Sequence, residues 1–298
     1  MVEPQVLSES FSELPPRRTE LQRIMAIFFG RKIVVFGFAV ILVMVFTAIF
    51  ASWLAPYNPY QQNLDNALLQ PSRQHLLGTD SLGRDTLSRI IYGTRTSLII
   101  GFAAIGVGAL IGMILGLVGG YFGGITQTII MRLVDALMSF PMILLALVIA
   151  ALLGGGLRNI VLAIGISLVS VYARLMWAQV LSVKQTDYIL AERSMGASNL
   201  RIMLRHIFPN SFPPIIVMVT LMIGSAILAE AGLSFLGVGV KPPTAAWGGM
   251  VSEGYRYILS SPILSFAPGI AIMLVVFAFN MVGDGLRDAL DPRLRGIL

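Results

Sequence analysis

The chain contains long apolar runs that are almost free of charged residues. Six of them fall at roughly 33–54, 96–119, 133–154, 160–183, 213–236 and 263–283. A helix of about 20 apolar residues crosses a hydrocarbon layer roughly 30 Å thick. Barrel strands would instead alternate apolar and polar residues over about ten positions, and these runs do not. They therefore predict an all-α polytopic membrane protein with six transmembrane helices.

The composition agrees with a membrane protein and excludes several other classes. Of the 298 residues, 56% are hydrophobic and 12% are charged, whereas soluble domains average about 45–50% and about 25%. The net charge of +6 is not gathered into a basic cluster, so no nucleic-acid partner is expected. The absence of cysteine excludes disulfides and thiolate metal sites. The first run is longer than a signal-peptide core of about 7–15 residues, so we expect an uncleaved anchor.

The distribution of Lys and Arg predicts the orientation of the spans. If the N-terminus is cytoplasmic, most of the basic residues outside the spans fall on the inner side, as the positive-inside rule requires. Both termini are then cytoplasmic. The expected regions are cytoplasmic tails at 1–32 and 285–298, a first helix at 33–54, an outer loop at 55–95, and a core of five helices over 96–284 with a cytoplasmic loop at 184–212.

The second span carries four glycines at a strict four-residue period. They lie on one face of a helix, where the lack of a Cβ lets another backbone approach closely. We expect a tight helix-packing face formed by Gly108, Gly112, Gly116 and Gly120.

The cytoplasmic loop contains the basic, glycine-broken stretch "YILAERSMGASNLRIMLRHIFPN" (188–210). Gly196 is a natural helix stop, and Ser198 is a good N-cap for a second helix. Pro209 is expected to end that helix. The spacing places an apolar face on one side and Arg201 and Arg205 on another; the apolar face consists of Leu200, Met203, Leu204 and Ile207. The pattern predicts a short helix, a glycine bend and a basic amphipathic helix.

Two interpretations of this loop follow from the residues. One is a connector that rests on the inner membrane face and carries positive-inside charge. The other is a projecting contact for a partner, because the first helix exposes polar residues with few apolar anchors and the bend is built from small residues. The polar residues of that helix are Glu192, Arg193 and Ser194, and the small residues of the bend are Gly196, Ala197 and Ser198.

The loop resembles the "EAA" loop of ATP-binding-cassette importer permeases. Gly196 and the "LRHIFPN" tail fit that pattern, whereas Leu190-Ala191-Glu192 stands where the motif has Glu-Ala-Ala. The resemblance implies a coupling helix that sits in a groove of an ATPase subunit. Its contact region would then consist of Glu192, Arg193, Gly196, Ala197 and Ser198.

Three further segments resemble the C-type permease of dipeptide and oligopeptide importers. They are "HLLGTDSLGRDTLSRIIYGTRTSL" (75–98), "ILAEAGLSFLGVGVKPPTAAWGGMVSEG" (227–254) and "NMVGDGLRDALDPRLR" (280–295), and the likeness runs from about residue 22 to the end. It implies a type I importer permease bundle in a prokaryotic cytoplasmic membrane. The implied partners are a second homologous permease, two ATPase subunits that hold ATP and Mg, an extracytoplasmic solute-binding protein and membrane lipid. The chain itself would bind no cofactor. The implied substrates are short peptides, or otherwise nickel chelates, glutathione or sugars.

Charged residues near the membrane suggest structural roles. Residues 81–95 have helical amphipathic spacing, which predicts an amphipathic helix on the outer interface before span two, with solvated Asp–Arg pairs that each contribute about 0–1 kcal/mol. Within the spans, charges should face protein or water because of their cost in lipid. We expect Asp135, Arg174 and Glu230 to pair between helices. Pro141 and Pro268 are expected to kink spans three and six.

Other functions fit the residues less well. The chain lacks the G-x-x-x-x-G-K-[ST] phosphate loop, so ATP would be bound by separate subunits. An intramembrane aspartyl protease would need Asp135 and Asp284 as paired carboxylates, but Asp284 suits a helix terminus. A serine protease lacks a positioned base, since His75 and His206 fall on opposite sides. A self-sufficient secondary transporter should show inverted repeats, and none is visible.

Overall fold

The computed structural model describes residues 20–290, and the elements in this range are helical. Of the expected tails at 1–32 and 285–298, residues 1–19 and 291–298 lie outside the described residues. The helices are α1 (Glu20–Gly30), α2 (Lys32–Ile49), α3 (Ala51–Leu54), a 3₁₀ turn (Leu64–Asn66), α4 (Thr86–Phe122), α5 (Gly124–Met138), α6 (Met142–Leu153), α7 (Leu157–Lys184), α8 (Asp187–Ser194), α9 (Asn199–Arg201), a π turn (Ile202–Ile207), α10 (Phe208–Ser211), α11 (Pro213–Phe235), α12 (Trp247–Tyr255) and α13 (Ile263–Leu290).

Five of these helices are long and apolar enough to cross a membrane, namely α2, α4, α7, α11 and α13. The pair α5 and α6 supplies a sixth span if counted together, and it is bent by 90°. This confirms the all-α polytopic prediction but corrects the third span, which was expected as one kinked helix over 133–154. Pro141 cannot donate a backbone hydrogen bond and disfavours helical backbone at the residue before it. The chain therefore turns sharply between α5 and α6.

The second span is part of one helix of 37 residues that begins at Thr86. The Asp85 carboxylate caps it by accepting hydrogen bonds from Ser88 N at 2.8 Å and Ser88 Oγ at 2.7 Å. The expected interfacial helix over 81–95 is therefore corrected, because residues 81–85 precede the helix and residues 86–95 form the first turns of α4. Its acidic and basic residues up to Arg89 are buried, not solvated, because the preceding loop folds over them.

Helices α4 and α7 run parallel, and the four-glycine face of α4 lies against α7. A Cβ on Gly112 would be 2.6 Å from the Val169 carbonyl oxygen, and one on Gly116 would be 2.4 Å from that of Ala173. At Gly108 the Cβ would be 2.8 Å from the Gly165 carbonyl oxygen, and at Gly120 it would be 2.8 Å from the Val180 side chain. At Gly108, Gly112 and Gly116 a larger residue would collide with the backbone of α7, so these glycines determine the distance between the two helices.

The loop before α4 is tied to α12 at the end of the bundle where α4 begins. The Arg84 guanidinium pairs with Asp80, at 2.6 Å from Nε to Oδ2, and with Glu253 of α12, at 3.1 Å from Nη2 to Oε2. Trp247 donates from Nε1 to the Ile90 carbonyl at 3.0 Å. These contacts hold α12 against the start of α4.

Candidate functional site

The segment between α7 and α11, residues 187–211, projects from the other end of the bundle and is called the elbow here. Its first helix, α8, ends at Gly196, whose φ is +81°. Gly196 N donates to Arg193 O at 3.1 Å, and Ala197 N donates to Glu192 O at 3.1 Å. This pair of bonds is the Schellman arrangement, which needs a left-handed residue at the Gly196 position. The bend therefore depends on glycine, as the sequence indicates.

The second half of the elbow begins at Ser198 and contains a π turn. Ser198 Oγ accepts from Arg201 N at 3.4 Å, which is the expected cap. Phe208 N then donates to Met203 O, five residues back. Pro209 has no N–H, and its ring would clash with the carbonyl four residues earlier in an ordinary α-helix. The wider turn removes that conflict, so the helix continues to Ser211. The prediction that Pro209 ends it is wrong.

The π turn changes which side chains of the elbow are buried. Ile202 and Ile207, five residues apart, are both fully buried, and Met203 is buried beside them. Leu200 and Leu204, which belong to the expected apolar face, are 65% and 55% exposed. The prediction assumed 3.6 residues per turn, whereas the local period is larger. The apolar face that packs on the bundle is therefore different from the predicted one.

Tyr121, at the end of α4, anchors the elbow to the bundle. Its hydroxyl donates to Asn199 Oδ1 at 2.7 Å, and its carbonyl accepts from Lys184 Nζ at 2.6 Å. The Arg193 guanidinium lies 5.9 Å from the centre of its ring. Sequence reasoning missed Tyr121. The available signal was an aromatic residue directly after the last glycine of the packing face.

Glu192 stabilises the elbow internally. Its Oε1 lies 3.5 Å from His206 Nε2, which joins α8 to the π turn, and its side chain is only partly exposed. This corrects the expectation that Glu192 projects into water. The exposed face includes Arg193, Ser194, Met195, Gly196, Ser198, Leu200, Arg201, Leu204 and Arg205, with Ala197 half-buried. Exposed apolar side chains set among basic ones are typical of a protein contact surface.

The three expected intramembrane charges do not form one network. Asp135 of α5 and Arg174 of α7 make an ion pair between helices, and both side chains are partly exposed. Glu230 is fully buried in α11 and accepts from Ser234 Oγ at 2.6 Å. Among the ion pairs of residues 20–290, none involves Glu230. The network interpretation is therefore corrected to one pair and one isolated carboxyl group.

The alternative catalytic arrangements are not supported by the side-chain contacts. Asp135 is held by Arg174 and not by a second carboxyl group. His75 Nδ1 lies 2.9 Å from Asp85 Oδ1, but Ser88 Oγ donates to the same aspartate and not to the histidine. This order differs from a Ser-His-Asp triad, in which the histidine lies between the other two. Residues 20–290 contain no group of three His, Cys, Asp or Glu side chains that could hold a metal.

Comparisons with known proteins give one consistent result. Residues 108–296 match the model of the "binding-protein-dependent transport system inner membrane component" family, and residues 19–71 match the "N-terminal TM domain of oligopeptide transport permease C". Glutathione transport system permease proteins of Escherichia coli O6:K15:H31 and Shigella boydii serotype 4 are each 45% identical over 257 residues, covering 86% of this chain and 85% of theirs.

Two solved structures share the fold. Both show inward-facing conformations of the MetNI methionine ABC transporter. The first has 20% identity and a TM-score of 0.55, covering 68% of this chain and 96% of its own. The second has 19% identity and a TM-score of 0.56, and the match covers 69% of this chain and 97% of the solved one.

Proposed function

Because this chain belongs to the family of binding-protein-dependent transport system inner membrane components, and so is a non-catalytic permease subunit of an ATP-binding-cassette importer, we propose that its elbow couples a partner ATPase to the bundle. The contact face consists of Arg193, Gly196, Ala197, Ser198, Arg201 and Arg205, with Glu192 supporting it from within. The proposal is supported by the exposure of that face and by the resemblance of the elbow sequence to the "EAA" loop.

One observation carries the proposal: the elbow connects directly to three spanning helices. It is continuous with α7 at one end and with α11 at the other, and Tyr121 bonds it to α4. The glycine face then joins α4 to α7 at backbone contact distance. A force on the exposed face of the elbow would therefore move these helices together.

The working assembly contains a second homologous permease, two ATPase subunits that bind ATP and Mg, and an extracytoplasmic solute-binding protein. It lies in a prokaryotic cytoplasmic membrane with both termini and the elbow inside, which the distribution of Lys and Arg supports. Closure of the ATPase dimer on ATP tilts α7 and α11 so that the path opens outward. Hydrolysis returns the bundle to its inward-facing state.

The substrates we propose are short peptides, with glutathione, itself a small peptide, among them. The match of residues 19–71 to an oligopeptide permease domain supports this class, as do relatives named as glutathione permeases. Much of the selection falls to the binding protein, so this chain needs to recognise only features that such substrates share.

The test of coupling is substitution at Gly196 in the complete transporter. Proline cannot adopt φ of +81°, so Gly196→Pro should abolish uptake while the chain still inserts and assembles. Asparagine tolerates this left-handed backbone better than other residues, so Gly196→Asn is the matched control and should keep most of the uptake. Uptake by Gly196→Pro at the wild-type rate would contradict the coupling role.

A further inference from the structure

A cavity of about 660 Å³ opens between α7, α11 and α13 at the elbow end of the bundle. Small-molecule sites commonly have about 300–1,000 Å³, so this volume suits a molecule the size of a short peptide. Its apolar wall includes Val217, Met218 and Leu221 of α11.

Three polar side chains from three different elements converge on this cavity. They are Gln179 of α7, Asn210 of α10 and Arg287 of α13. None of the ion pairs within residues 20–290 involves Arg287. A guanidinium presents paired N–H donors that match a carboxylate, and amide side chains can pair with peptide groups. An apolar wall with a few convergent polar groups is the usual composition of a ligand site.

The position of the cavity couples it to the elbow. Asn210 lies within the elbow, and its Nδ2 donates to His206 O at 2.7 Å, which leaves Oδ1 free for another contact. Leu221 also packs over Gly283, where an added Cβ would lie 2.5 Å from Leu221 Cδ2. The rim therefore belongs to the elbow, and one wall depends on the contact between α11 and α13. Movement of the elbow would change the cavity.

We propose that this cavity is a peptide-binding station on the translocation path, in which Arg287 binds a substrate carboxylate and Gln179 and Asn210 contact its amide groups. The inference rests on the proposed function and adds the location of the path and its carboxylate selectivity.

The experiment uses the fact that the chain contains no cysteine. Met218→Cys is introduced into the purified assembly of permeases and ATPases without nucleotide or binding protein, and the rate of labelling by N-ethylmaleimide is measured. The probes are Ala-Ala, glutathione and the C-terminal amide of Ala-Ala. The probes with a free carboxylate, Ala-Ala and glutathione, should slow labelling at least about 3-fold. Adding Arg287→Gln should raise the probe concentration needed for this protection about 10-fold or more, as expected for the loss of a hydrogen bond to a charged group. The amide should protect poorly in both backgrounds.

Matched controls make each outcome decisive. Ile216→Cys lies on the same helix outside the cavity lining, and its labelling should not respond to the probes. Arg132→Gln removes an exposed arginine of α5 and should leave protection unchanged. Equal protection by Ala-Ala with and without Arg287→Gln would overturn the binding of the substrate carboxylate by Arg287. No protection while the intact transporter takes up Ala-Ala or glutathione would overturn the cavity assignment and leave the proposed function standing. Failure of the intact wild-type transporter to take up either probe would overturn the proposed substrate class, and this inference with it.

Discussion

The hydroxyl of Tyr121 lies 2.7 Å from Oδ1 of Asn199. This hydrogen bond joins the end of α4 to the second half of the elbow across 78 positions of sequence. Lys184 of α7 adds a second contact at the same residue by donating from Nζ to the Tyr121 carbonyl oxygen at 2.6 Å. The elbow is thus held to a third spanning helix besides the two that flank it.

We expect Tyr121→Phe to weaken coupling without preventing folding. One hydrogen bond of about 0.5–1.5 kcal/mol is lost, while the ring and its packing remain. Uptake in proteoliposomes that contain all subunits should fall several-fold relative to ATP hydrolysis. Tyr255→Phe, at an exposed tyrosine near the opposite end, is the control and should leave the ratio of uptake to hydrolysis unchanged. The same unchanged ratio in Tyr121→Phe would show that this bond does not transmit force.

The contact between α4 and α7 predicts opposite effects for two glycine-to-alanine substitutions. A Cβ at Gly116 would lie 2.4 Å from the Ala173 carbonyl oxygen, so Gly116→Ala should destabilise the protein by about 1–3 kcal/mol through overpacking. Nothing lies within 4 Å of the Cβ position of Gly106 on the same helix. Gly106→Ala should therefore be neutral or stabilise by up to about 1 kcal/mol, since alanine favours helix. Thermal unfolding in detergent would compare them, and equal midpoints would contradict the close packing.

The ion cluster beside α12 predicts unequal effects for its members. Arg84 is almost fully buried and pairs with both Asp80 and Glu253. Arg84→Gln should cost about 3 kcal/mol, because Glu253 loses this ion pair and the buried Asp80 keeps only the longer contact with Arg89, at 3.4 Å. Glu253 keeps more contact with solvent, so Glu253→Gln should cost less. Limited proteolysis of residues 55–85, together with thermal unfolding, measures the release of the loop. The exposed Arg256→Gln is the control, and an Arg84→Gln protein as resistant as this control would exclude a structural role for the cluster.

The structural features that sequence could predict are those with local causes. Apolar length set the number of spans because a bilayer has a defined thickness. The four-residue spacing of the glycines predicts a packing face on α4 without identifying the helix that packs against it. Gly196 marked the bend because a left-handed residue is strongly biased toward glycine.

Other features were decided by tertiary contacts. The π turn depends on Pro209 but also on the burial of Ile202 and Ile207, so the apolar face could not be read from an α-helical period. The burial of Arg84 requires Glu253, 169 residues away, and the bond between Tyr121 and Asn199 joins distant segments. Helical periodicity reports only which residues share one side of a helix. Which side is covered, and by what, depends on partners that only the folded chain brings into contact.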